Sequence, residues 1–274
     1  MIAAAQLRSG RSLSLVSQPQ QQLFMAILAL LFAASATLTM FWWGSMSSMG
    51  VMPMPGGWSM SMMWMRMPGR TWLSAGASFV EMWLVMMVAM MLPSLLPMLL
   101  GFRQAVSGAA MRVNHLTAIM GAGYFLVWTL LGIVLFPLGV MLASIEMHHV
   151  ALARAIPATT GAIIVIAGAL QFTPWKAHRL AGCREATGCH RLQAYSGGAL
   201  RHGLDLGLQC AYCCVGLTVI LVVGGVMNLR LMIIVAGAIT AERLAPNGER
   251  VARAIGVIAI VAGVLLTARA IAIS

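Results

Sequence analysis

The chain has 274 residues, of which 61% are hydrophobic and only 8% charged, and its mean hydropathy is +0.91. That balance excludes a soluble globular domain and calls for an all-α polytopic membrane protein, a transmembrane helical bundle surrounded by lipid bilayer. The net charge of +11 is carried mainly in short segments between apolar runs, so it reads as topology information and not as a surface for nucleic acid.

The polar head, residues 1–22, carries Arg8 and Arg11 and is expected to be a cytoplasmic tail ahead of a single transmembrane domain, 23–274. The first apolar run is 23–43. Ala34-Ser35-Ala36 resembles a signal-peptide cleavage site, but the run continues past it, and an uncleaved first span is expected. Residues 44–72 are rich in Met, Gly, Pro and Trp, which suits an outer loop and no regular amphipathic element. Spacings such as Met52 to Met54 and Met60 to Met62 offer thioethers that suit capture of Cu(I); drift of composition in a tolerant loop is the plainer account.

Further apolar runs at 79–100, 116–142, 156–172, 204–227, 229–241 and 254–273 bring the expected spans to about seven. The runs 156–172 and 229–241 are short enough to tilt or insert partially, and six spans would also fit. Asn228 alone separates 204–227 from 229–241, so these two runs should form a helical hairpin.

With the N-terminus inside, twelve of the Lys and Arg residues fall on the cytoplasmic side and five outside, an asymmetry that favours this orientation in a bacterial inner membrane. The Met-rich loop is then extracytoplasmic, and the basic loop 173–203, with Cys183 and Cys189, is cytoplasmic. Cys210, Cys213 and Cys214 would lie roughly 9 to 15 Å into the inner leaflet at 1.5 Å per residue.

Two stretches carry the chemistry. Cys210, Cys213 and Cys214 stand at i, i+3 and i+4, so a helix presents all three thiols on one flank, as soft ligands or as small packing residues. In the second run, Met86 and Met90 form one helical row and Met87 and Met91 the adjoining one, at the same expected depth as the cysteines. Thiolate with thioether selects Cu(I) over hard cations, and the rival account of the methionines is a flexible packing surface. Pro93 and Pro97 each remove a backbone donor from this helix. Glu81 and Glu242 are the acids closest to apolar segments; Glu242 has Arg243 beside it at an expected interface, and Glu81 therefore ranks higher as a site residue. His178, Cys183, Cys189 and His190 form a weaker candidate group, since the cysteine spacing is not that of a standard zinc site.

With these residues in view, the chain resembles the bacterial family of predicted metal-binding integral membrane proteins, a domain of unknown function. The resemblance rests on Met82-Trp83 followed by Met86 through Pro93 and Pro97, on Gln171 through Lys176 leading to Cys183-Arg184, and on Gly207 with Cys210 through Cys214. It continues through Gly225 to Asn228 and Glu242 to Pro246, so that it spans most of residues 79–246. It implies a metal-handling membrane protein. Similar proteins carry a second cysteine four residues before Cys183, where this chain has Arg179 beside His178.

The resulting expectation is a Cu(I)-binding protein of metal transport or delivery, with a metallochaperone or a membrane-complex subunit as partner. The proposed ligand set is Cys210, Cys213, Cys214, Met86, Met87, Met90, Met91 and Glu81, with Cys183 and Glu242 as further candidates. A metal-free structural or assembly subunit, and a thiol or haem redox protein, remain as alternatives. No phosphate loop, dinucleotide fingerprint, Ser-His-Asp set or His-Glu-x-x-His motif is present to suggest an enzyme.

Overall fold

The structure, a computed structural model, describes residues 18–48, 52–54, 58–60, 64, 69, 71–106, 110–185 and 195–273. Among these are eight helices: α1 (Gln18–Ser48), α2 (Trp72–Ala105), α3 (Ala110–His148), α4 (Val150–Leu170), α5 (Pro174–Glu185), α6 (Ser196–Val223), α7 (Leu229–Leu244) and α8 (Gly248–Ile273). Six of them are long and apolar enough to cross a membrane, which makes the chain an all-α polytopic bundle.

The remaining apolar run, 229–241, becomes α7. Its 16 residues extend about 24 Å, short of the roughly 30 Å hydrocarbon thickness. The expected hairpin is present: Gly225, at φ +102°, turns the chain between α6 and α7, and Asn228 caps α7 by accepting from the Leu231 N–H.

Two expectations about loops are corrected. Residues 44–72 are not wholly irregular: α1 runs on to Ser48, and β1 (Met52–Met54) pairs antiparallel with β2 (Trp58–Met60), Met52 opposite Met60. Within 173–203, residues 174–185 form α5, which packs against α6 and α7. Pro174 stands at the first position of α5, where a missing N–H is harmless, and the Thr173 hydroxyl accepts from the Lys176 N–H as an N-cap does.

Helix contacts fix the arrangement. Phe24 of α1 lies under the Arg103 guanidinium of α2, and Arg103 donates to Asn114 of α3, so these three helices alternate in direction. Next, α3 and α6 run parallel and close, because glycine lines their seam: a Cβ on Gly207 would lie 2.8 Å from the Tyr124 carbonyl oxygen. α2 and α6 are the most buried of the long helices, as befits the two stretches singled out by their sulfur. Within α2, Met86, Met87, Met90 and Met91 are all buried, and the helix continues through Pro93 and Pro97.

Candidate metal centre

The cysteines of α6 project into the middle of the bundle, where Cys210, Cys213 and Cys214 are each no more than 1% exposed. Cys210 and Cys214 stack one helical turn apart with their sulfurs at 3.9 Å. Cys213 is the third buried thiol of this helix, and α5 carries Cys183 in beside it. Cys183 is equally buried, and its thiol also donates to the Gln209 carbonyl oxygen at 3.2 Å. Four buried free thiols therefore gather in one cluster, with Cys210 and Cys214 in direct contact. The Cys213 sulfur beside it, and then burial, push the Cys183 thiol well above its ordinary range.

Two buried cations border this cluster. Arg243 of α7 donates from Nη1 to Cys210 Sγ (3.2 Å) and to Ser94 Oγ (3.0 Å), and from Nη2 to Met98 Sδ (3.2 Å). Tyr124 of α3 adds a second donor to Cys210, its hydroxyl lying 2.9 Å from the sulfur. Lys176 of α5 donates to the Cys213 carbonyl oxygen and to Glu242 Oε2, both at 2.6 Å. Gln171 completes Glu242 by donating to its other oxygen at 3.0 Å. Burial works to lower the Lys176 pKa, but Cys213 and Glu242 raise it by more, and the ammonium stays charged.

Of the residues singled out in the sequence, the three α6 cysteines and Cys183 come together, and Glu242 lies beside them with both carboxylate oxygens engaged. Glu81 does not join them: it is on the exposed side of α2 while its neighbours Met82 and Trp83 are buried. Met86, Met87, Met90 and Met91 share the buried core with the cysteines. His178 is exposed, Arg179 stacks over the Tyr212 ring at 5.1 Å, and Cys189 and His190 lie outside the described residues. Among the described residues, no three His, Cys, Asp or Glu side chains are arranged to hold a metal ion as they stand.

The functional neighbours that sequence reasoning passed over are Arg243, Lys176, Tyr124, Ser94 and Met98. Arg243 had a signal, a charge at the end of an apolar run, which an interfacial position seemed to satisfy. Met98 continues the row of Met87 and Met91, seven residues beyond Met91, past Pro93 and Pro97.

Residues 80–266 match the family model described as PpoB2: Copper chaperone. The chain belongs to this copper chaperone family. No curated protein and no solved structure matches it. The matched stretch begins just ahead of the buried methionines and runs beyond Arg243, so it contains every side chain of the cluster. In a copper chaperone family, free thiols bordered by thioethers are a donor set suited to the cargo itself.

Proposed function

We propose that this protein is a membrane-embedded carrier that binds Cu(I) at the cysteine cluster and takes part in its transport or delivery. The observation that carries the reading is the cluster of four buried free thiols contributed by α5 and α6 in a member of a copper chaperone family. Cys210, Cys213 and Cys214 are the principal ligands and Cys183 a further one. Met86, Met87, Met90 and Met91 give the ion a soft, buried approach along α2, fed from the Met-rich segment at the other end of that helix. Glu242 positions α5 through Lys176 and is not itself a ligand.

The Lys and Arg distribution favours an N-terminus on the cytoplasmic side of a bacterial inner membrane. The cluster then lies in the inner half of the bilayer, and a soluble metallochaperone or a subunit of a membrane complex exchanges copper there.

The test is elemental analysis of detergent-purified protein from copper-supplemented cells, beside a variant with serine at positions 210, 213 and 214. About one copper per chain is expected in the parent and none in the variant. Copper retained by the variant would move the site elsewhere, and copper in neither would leave a structural subunit as the better reading.

A further inference from the structure

Arg243 is an unusual guest among sulfurs. Among the described residues its hydrogen bonds go to a hydroxyl, a thiol and a thioether, while Glu242, next to it in the chain, is engaged by Lys176 and Gln171. A thioether is a weak acceptor, and guanidinium groups more often meet carboxylates or carbonyls. Cys210 Sγ and Met98 Sδ, from different helices, each lie 3.2 Å from a guanidinium nitrogen, so both sulfurs point at the same buried cation. Cys214 adds a third sulfur, 3.9 Å from that of Cys210.

We infer that Arg243 holds the place of the cargo. Resting on the reading of the cluster as a copper site, the proposal assigns Met98 as a copper ligand beside Cys210 and Cys214, and Arg243 as the group that Cu(I) displaces. On loading, bonds form from copper to the sulfurs, the contacts of Nη1 and Nη2 with Cys210 and Met98 break, and any thiol protons pass to water. Copper remains Cu(I), and no electron is transferred.

Charge favours exchange over addition. Two cations within a few ångströms in a buried site repel, whereas exchanging guanidinium for Cu(I) leaves one positive charge beside the sulfurs at any given protonation of the thiols.

Purified protein loaded with Cu(I) in the absence of oxygen would be compared with Met98→Leu and Arg243→Gln. Two readouts are needed: competition against a colorimetric Cu(I) chelator and the sulfur count around copper from X-ray absorption. Met98→Leu, which keeps the volume, should remove one sulfur from the copper shell and weaken binding about tenfold. Arg243→Gln should keep the sulfur count and bind about tenfold more tightly, since no placeholder has to leave. An unchanged shell in Met98→Leu overturns the proposal while leaving the copper reading intact, and weaker binding by Arg243→Gln makes Arg243 a fixed counter-charge instead. Copper-free parent protein overturns both. If Arg243→Gln does not give a single sharp peak on size exclusion, the Met98→Leu shell decides alone.

Discussion

Cys210 receives two donors, the Tyr124 hydroxyl and the Arg243 guanidinium, and this pairing sets the character of the cluster. Replacing Tyr124 by Phe deletes one donor and leaves ring packing in place, so the loss should be about 0.5–1.5 kcal/mol, read as a lowered midpoint of thermal unfolding in detergent. No loss would mean that the hydroxyl gains nothing from the sulfur. The three α6 cysteines were legible because i, i+3, i+4 spacing has one meaning on a helix. Cys183 could be only a further candidate, because its partner Cys213 is thirty positions away in the chain and local spacing says nothing about α5 folding back. The ranking of the two acids came out reversed in burial for a related reason. Glu242 is stabilised inside the bundle by Lys176, a partner 66 residues earlier that no local pattern announces.

At the scale of elements, α5 is held to the bundle by that ion pair and by close packing of α6 behind it. Breaking a buried pair from one side leaves an uncompensated charge. Lys176→Met or Glu242→Gln alone should therefore destabilise by about 3–5 kcal/mol, and the double variant by clearly less than the sum of the two. Additive effects would show that the two side chains act independently despite their 2.6 Å contact. The α3–α6 seam makes a second demand, since Gly207 has the Tyr124 carbonyl and the Val127 side chain where a Cβ would go. Gly207→Val should overpack the seam and destabilise by about 1–3 kcal/mol or more, and it should weaken copper binding by pulling Cys210 away from Tyr124. The α6–α7 hairpin was visible in advance because Asn228 alone separates two apolar runs. The helix α5 was not, because its Lys and Arg make it look like a loop until the partners of Lys176 are known.

For the whole molecule, the length of the apolar runs revealed the bundle, and the question left to the three-dimensional arrangement was whether the run 229–241 crosses. In length α7 falls short of a full span, yet Arg243 and Glu242 at its far end meet Cys210, Lys176 and Gln171, while its start adjoins the end of α6. It therefore runs back along α6 to the level of the cysteines. The chain then leaves through Pro246 into α8, which packs antiparallel on α4 with Gly256 against Gly168 and Gly263 against Gly161. Alternation of all these helices predicts that residues 185 and 246–247 emerge at one end of the bundle, with 225–227 and 273 at the other. Reporter fusions test this directly, using one enzyme that is active only outside the cytoplasm and one protein that fluoresces only inside it. Fusions at 185 and 246 should report the cytoplasm, whereas fusions at 226 and 273 should report the outside. Signals exchanged throughout would invert the chain, placing the thiols near the outer face and reversing the sense of copper delivery. Identical signals at 226 and 246 would show that α7 returns to the side it came from, and the lysine and arginine count would then have to be made again on six spans.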